Sequence, residues 1–297
     1  LTDALRLSRG MTYKNAVAGL DLGGGKSVII GDNRTQNREA IFRAHGRFVE
    51  SLGGRYITAE DVGTGTADMD LVHLETEHVA GLREKSGDPS PVTAHGVFRA
   101  VQASAKNRWG SDDLTGKVVT IQGCGNVGRY LAKELHEAGA TLIVSDIDPE
   151  RTARVAKETG ATIVHGDEIY SAKADIFAPC ALGGIINDAT LPMLRVEVIS
   201  GAANNQLLEP RHGDTLEEMG MQYAPDYVAN AGGVINVFGE VAGWDAERAL
   251  KKADEIYDTI LSVFEIAKAE GIPSYVAADR LAERRLAGVS KKWKPKA

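Results

Sequence analysis

From Lys117 onward, short apolar runs alternate with amphipathic stretches. Residues 117–123 (KVVTIQG), 140–146 (ATLIVSD), 161–164 (ATIV), 174–180 (ADIFAPC), 197–204 (EVISGAAN) and 221–227 (MQYAPDY) are strand candidates. Most are unbroken apolar, β-branched runs, the pattern of parallel strands buried on both faces. Helical stretches separate them, which predicts right-handed crossovers and a doubly wound sheet. A long amphipathic helix is expected from Asp245, its N-cap, to Gly271, with Leu250, Ala253, Tyr257, Ile260, Leu261, Phe264 and Ala267 on one stripe and Pro273 as a stop. Another helix follows over 275–287, and then a basic tail, KKWKPKA, that reads as a solvated end.

The front of the chain is less regular. Residues 1–10 read as the tail of an amphipathic helix, entered mid-pattern and without an initiator Met. Residues 11–31 are apolar, broken by Gly23-Gly24-Gly25, and end in a β-branched strand pattern. Residues 36–52 carry Ile41, Phe42, His45, Phe48, Val49 and Leu52 at helical period, and Gly53-Gly54 stops them. Residues 55–61 then read as a strand and Thr66 as the N-cap of a helix, which together suggest a βαβ-type unit. A Gly/Pro/Ser-rich loop over 86–91 marks a boundary, and residues after it form a further helix. The expected fold is therefore α/β, a Rossmann-type doubly wound parallel sheet plus a smaller α/β domain. The divisions are 1–88, 89–272 and a C-terminal helix and tail over 273–297 that packs back toward the first.

Composition narrows the function. The 297 residues carry 34 Lys plus Arg against 41 Asp plus Glu, a net charge of −7 that argues against a nucleic-acid partner. No apolar run is long enough to span a bilayer. Cys124 and Cys180 are too few for a disulfide framework and suit a reducing, cytoplasmic compartment. The seven histidines show no metal-ligand spacing, so no metal is expected. Glycine is abundant at 33 residues, and a group of these glycines carries the strongest chemical signal.

Gly123-Cys124-Gly125-Asn126-Val127-Gly128 reads G-x-G-x-x-G, follows a strand and opens a helix. In a dinucleotide fold the first glycine makes the tight turn, the second lets the pyrophosphate approach, and the third lets helix pack on strand. The helix N-terminus adds free N–H groups for phosphate. Asp146, 23 residues after Gly123 at the end of the next strand, is placed to accept from an adenosine ribose. A carboxylate there repels a 2′-phosphate and no arginine follows until Arg151, so NAD is expected rather than NADP. Lys14 and Lys26 lie in otherwise apolar sequence, Lys26 directly after Gly23-Gly24-Gly25, a turn expected to let backbone approach a small substrate, and Asp61 enters a Gly/Thr loop. Spacing alone leaves the two lysines as ordinary exposed charges, whereas Asp61 stands where an acid–base residue is usual.

Residues 11–32 (MTYKNAVAGLDLGGGKSVIIGD) closely resemble the substrate-site signature of the glutamate/leucine/phenylalanine/valine dehydrogenase family. RYITAEDVGT, PVTAHGV, APCALGG, GAANNQL and YAPDYVANAGGVINV extend the likeness, in order, over nearly the whole chain. The resemblance implies NAD-dependent, reversible oxidative deamination of an L-amino acid to a 2-oxo acid and ammonia, in a homo-oligomer. It implies that Lys14 binds the substrate carboxylate, that Lys26 activates the water attacking the imine, and that Asp61 assists proton transfer to and from the amino group. Two nearby lysines disfavour each other's charge, which suits that chemistry. Asn205 matches a side chain reaching the substrate carboxylate or nicotinamide ribose; Asn204, Thr93, Cys180 and Ala181 match positions around the cofactor. Ala59, Val234 and Val237 match the pocket wall, with Gly232-Gly233 opposite the substrate turn. Glutamate-type members carry a hydroxyl near the position of Val237, where an apolar residue leaves a side-chain carboxylate unpaired. Phenylalanine-type members differ in the GGVINV segment. A branched aliphatic substrate (Leu, Val or Ile) is therefore expected, with phenylalanine or another apolar amino acid as the alternative. Members also carry several dozen residues before the position of Leu1, so the substrate domain is expected to lack its N-terminal part, leaving a front sheet with an exposed edge. The competing expectation is a catalytically impaired NAD-binding module; intact Lys14, Lys26 and Asp61 favour the enzyme.

Overall fold

Six parallel strands, in the order β3-β2-β1-β4-β5-β6, form the centre of the computed structural model. The structure describes residues 1–32, 37–61, 63–82 and 88–290. In chain order the front elements are α1 (Thr2–Val17), α2 (Arg38–Glu50) and α3 (Thr66–His73), followed by α4 (Ser90–Trp109). Next come β1 (Val118–Gln122), α5 (Asn126–Glu137), β2 (Thr141–Ser145), α6 (Pro149–Thr159), β3 (Thr162–Ile163), α7 (Glu168–Ser171) and β4 (Ile176–Pro179). Then follow β5 (Val198–Ile199), α8 (Pro210–Glu218), β6 (Gln222–Tyr223) and α9 (Asp226–Ala229). The chain continues through α10 (Gly232–Ala242), α11 (Ala246–Asp254), α12 (Ile256–Glu270) and α13 (Ser274–Ser290).

Every strand expected from the apolar runs after Lys117 is present. β1 lies centrally, with Val118 to Gln122 opposite Thr141 to Ser145 on one side and Val119 to Gln122 opposite Ile176 to Pro179 on the other. Both faces are covered. Val119, Ile121, Ile176 and Ala178 pack with α4 and α5, whereas Phe177, Ile199 and Tyr223 pack on the opposite face with Ile169 and Leu216. The strand order reverses between β1 and β4, so the connections leaving their C-terminal ends part and open a crevice at Gly123 and Cys180. A third apolar cluster joins α4 and α9–α13 to the end of α1, through Ala16, Val17, Ile235, Ile260, Phe264, Ala278 and Ala282. α13 thus lies against α1.

The front differs from its expectation. No βαβ unit forms there among the described residues. Residues 27–30 are not a strand, and Val28, Ile29 and Ile30 are exposed, because no described segment runs beside them to complete a ladder. Residues 55–61 contribute only a parallel bridge, Thr58 to Val79. α1 runs to Val17, so Lys14 sits on a helix and not in an apolar loop. α2 buries Phe42 and Val49 against Met69, Val72, Val79 and Leu82, while Phe48 points outward, 73% exposed. Gly65, not Thr66, caps α3: its N–H donates to the Asp68 carboxylate at 2.9 Å.

The helix expected from Asp245 to Gly271 is two helices broken at Glu255. Asp245 does cap it, accepting from the Arg248 N–H at 2.8 Å, and Gly271 ends it at φ 63°. Leu250 falls off the buried stripe. The final helix extends the 275–287 reading at both ends, and the basic tail over 291–297 lies outside the described residues. Among the described residues no helix is long and apolar enough to cross a membrane.

Candidate active site

The crevice between β1 and β4 holds the glycine turn. A Cβ on Gly128 would collide with the Gly123 carbonyl, and one on Gly123, at φ 101°, would stand 2.8 Å from the Cys180 carbonyl carbon. Those two glycines are closed by the protein's own backbone. Gly125 is not: the nearest atom to a Cβ there is Arg151 Nη1, 4.0 Å away. α5 begins at Asn126 without a side-chain cap, so its first N–H groups face the crevice, while Val127 packs against the sheet. Asp146 is fixed at the rim, Oδ2 accepting from the Cys124 N–H at 2.6 Å and Oδ1 from the Asp148 N–H at 2.8 Å. Ile147 beside it is fully exposed, an apolar face next to a carboxylate. A bare cradle, free helix N–H groups and a ribose-level carboxylate fit a dinucleotide. Burial pushes the Cys124 and Cys180 thiols up to about 12, so neither is a thiolate near neutral pH. Ala181 is exposed at the lip. Thr93 lies on α4 with its hydroxyl on the Pro89 carbonyl and 3.0 Å from a Cβ built on Gly233.

The three charged candidates stand within electrostatic reach of one another. Lys26 Nζ forms an ion pair and hydrogen bond with Asp61 Oδ2. Asp61 is held by Thr64, whose hydroxyl accepts the Asp61 N–H and donates to its carbonyl, both at 2.8 Å. Gly24 and Gly25 explain how Lys26 gets there. A Cβ on Gly24 would collide with Thr12 and the Ser8 carbonyl of α1, and one on Gly25 would stand 2.6 Å from the Tyr56 ring. The expectation was a glycine turn left open for substrate; these two instead let the segment lie flat against α1 and Tyr56, and only Gly23 faces open space.

Lys14, on α1, donates to Asn204 Oδ1 at 3.3 Å. Burial pushes its pKa below the ordinary lysine value; Lys26 adds to that, while Asp226 and Asp61 oppose it. Burial likewise pushes the Asp226 carboxyl up, against the Gln206 N–H that donates to it at 2.8 Å and the nearby Lys14. Asn204 Oδ1 also accepts from Asn230 Nδ2 at 2.7 Å. Asn230 is 5% exposed, and its own Oδ1 has no partner among the described residues. Asn205, expected to reach the substrate carboxylate or the nicotinamide ribose, is exposed; its backbone lies in the left-handed region at φ 51°, and its carbonyl accepts the Gly184 N–H at 2.7 Å. Ala59, Val234 and Val237 are half-buried. Val234 packs on the helical core, and Val237 follows one turn later on α10. Asp226 and Asn230 were not singled out from sequence, although both stand inside the quoted YAPDYVANAGG segment; no local pattern tells a buried acid or amide from an exposed one. Among the described residues no group of three or more His, Cys, Asp or Glu is arranged to hold a metal.

A family model described as Glu/Leu/Phe/Val dehydrogenase, dimerisation domain, matches residues 1–78. A second, described as Glutamate/Leucine/Phenylalanine/Valine dehydrogenase, matches residues 86–149 and 144–292. The chain belongs to this family. It is 60% identical to the leucine dehydrogenase of Geobacillus stearothermophilus, over 99% of this chain and 81% of that protein. It is 47% identical to the valine dehydrogenase of Streptomyces coelicolor, over 97% of this chain and 80% of that protein. The crystal structure of L-tryptophan dehydrogenase from Nostoc punctiforme superposes with a TM-score of 0.89 at 48% identity, covering 98% of this chain and 84% of that one. The expected family and the Rossmann-type α/β fold both stand.

Proposed function

We propose that this family member is an NAD-dependent dehydrogenase that reversibly deaminates a branched-chain aliphatic L-amino acid to its 2-oxo acid and ammonia. One observation carries the reading: Lys14, from the front of the chain, donates to Asn204 of the sheet domain, and the Lys26–Asp61 pair stands within electrostatic reach of that lysine. Residues 1–88 then supply the amino-acid side, 89–272 the nucleotide side, and α13 ties the two by packing on α1.

Gly123 and Gly128 shape the turn, open Gly125 and the α5 N–H groups would hold the pyrophosphate, Asp146 would take the adenosine ribose, and Ile147 would offer its exposed face to the adenine. Thr93, Cys180, Ala181 and Asn204 border the other end. The bound cofactor would supply the acceptor for the hydride leaving the substrate Cα. The rest of the work belongs to the chain. Lys14 holds the substrate carboxylate, steered by Asn204. Lys26 passes its ammonium proton to Asp61 along their hydrogen bond; the freed Lys26 amine takes a proton from the water that adds to the imine carbon, and Asp61 gives its proton to the nitrogen that leaves as ammonia. Ala59, Val234 and Val237 line the side-chain pocket with apolar surface. A glutamate side chain there leaves its carboxylate unpaired, a cost of several kcal/mol, whereas each methylene among aliphatic substrates is worth only about 1–3 kcal/mol.

The two free thiols suit a cytoplasmic setting. The match of residues 1–78 to a dimerisation-domain model supports a homo-oligomer. The test is NAD reduction with Leu, Val, Ile, Phe, Trp and Glu beside direct NAD binding. Reduction led by the branched aliphatic substrates is expected. Binding with no reduction selects the impaired module, and reduction led by Phe or Trp overturns the substrate assignment.

A further inference from the structure

Arg151 leaves the first turn of α6 and brings Nη1 to 4.0 Å from where a Cβ on Gly125 would stand, with no other atom as close outside the adjoining residues Cys124 and Asn126. Its charge reaches the turn by a second measure: Arg151 pulls the Cys124 thiol downward, against burial and against Asp146. The guanidinium is half-exposed and paired with Asp148, Nε to Oδ2 at 3.2 Å. A half-exposed pair three residues apart on a helix end is weakly held. Asp148 also does not depend on it, since its Oδ1 accepts the Glu150 N–H at 2.9 Å and keeps α6 capped without the arginine. Asp146 differs, with both oxygens held by backbone N–H groups. The nucleotide cradle therefore has one side chain that is cationic, close and releasable.

We propose that Arg151 binds a phosphate group of the dinucleotide, leaving Asp148 as the cofactor arrives. A planar guanidinium presents paired N–H donors that match two phosphate oxygens. Two groups carry that chemistry, the pyrophosphate and a ribose 2′-phosphate, and the approach to Gly125 favours the pyrophosphate. The proposal rests on the dinucleotide reading above and adds to it a side chain outside the glycine motif.

The full chain and its Arg151→Ala and Arg151→Lys variants are titrated with adenosine, ADP-ribose, NADH and NADPH, followed by calorimetry or NADH fluorescence. Arg151→Ala is expected to weaken ADP-ribose and NADH about tenfold, or about 1.4 kcal/mol, and to leave adenosine unchanged. Arg151→Lys recovers part of the loss. An equal loss for NADPH identifies the pyrophosphate as the partner; a loss confined to NADPH identifies the 2′-phosphate. Unchanged binding of all three phosphate ligands in Arg151→Ala overturns the assignment, as does an equal loss of adenosine. A wild-type chain that binds no ADP-ribose overturns the dinucleotide reading itself, a failure the variants cannot mimic.

Discussion

Replacing Asn230 with alanine tests whether Lys14 is held from the far side of the cleft. Asn230 Nδ2 donates to the Ala202 carbonyl at 3.0 Å and to Asn204 Oδ1 at 2.7 Å, and Asn204 Oδ1 in turn accepts the Lys14 ammonium at 3.3 Å. Truncation removes two hydrogen bonds, each worth about 0.5–1.5 kcal/mol net. It also removes the Asn230 Oδ1, a buried acceptor without a partner among the described residues, whose relief returns roughly 1 kcal/mol. The expected stability loss is therefore about 0–2 kcal/mol, a fall in Tm of a few degrees at most. Function should change more selectively. With Asn204 free to swing, the Lys14 bond loses its fixed acceptor, and a charge-assisted bond of this kind is worth about 1.5–3 kcal/mol. Losing half of that raises KM for the amino acid on the order of tenfold, at about 1.4 kcal/mol per decade. ADP-ribose affinity and kcat should hold within about threefold, because neither the glycine turn nor the Lys26–Asp61 pair touches Asn230. Initial rates over amino-acid and NAD concentration, with a thermal melt, separate these effects. A lower Tm with unchanged KM makes Asn230 purely structural. A collapse of kcat at constant KM is equally fatal to a positioning role.

Lys26→Ala should abolish turnover while NADH still binds with wild-type affinity; retained turnover removes Lys26 from the chemistry. Gly128→Ala drives a Cβ into the Gly123 carbonyl, so dinucleotide binding should fall by at least about tenfold, and unchanged NADH titrations contradict the turn geometry. His95 bridges α4 to α5 and α11 through Glu134 Oε2 at 2.8 Å and Asp254 Oδ1 at 3.0 Å, with Arg99 also on Asp254. The Glu134 bond raises its pKa above 6.5 despite burial, so its stabilisation is full below pH 6.5 and is lost as pH climbs through the raised folded value. The Tm gap between wild type and His95→Gln should therefore be widest near pH 6 and narrow toward pH 9; a constant gap refutes the linkage.

The sheet was legible in the sequence because its information is local. Each strand after Lys117 is an apolar run between helices, and the Gly123 turn, its helix and Asp146 lie within one βαβ span whose order the chain itself dictates. The front was misread for the converse reason. Val28, Ile29 and Ile30 have the β-branched character of a strand, yet a strand exists only through a partner, and none of the described residues runs beside them. Gly24 and Gly25 were misread in the same way, since what a missing side chain makes room for, here Thr12 and the Tyr56 ring, is a tertiary fact.

The same distinction explains why the charged residues needed the family likeness while the glycine motif did not. Lys14 and Asn204 are 190 positions apart, and Lys26 and Asp61 are 35 apart. No periodicity links such residues; only the docking of α1 on α13 and α9 brings them to one crevice. Within that crevice the burial of Lys14 and Asp226, which moves both pKa values toward neutrality, depends on packing from several elements at once. A lysine whose protonation is set this way reports on domain docking as well as on chemistry. Mutations at the α1–α13 contact, such as Asp279→Lys, which sets a like charge against Arg9, should therefore disturb amino-acid binding through Lys14 while leaving the Gly125 cradle, built on β1, α5 and the segment from Asp146 into α6, able to bind nucleotide.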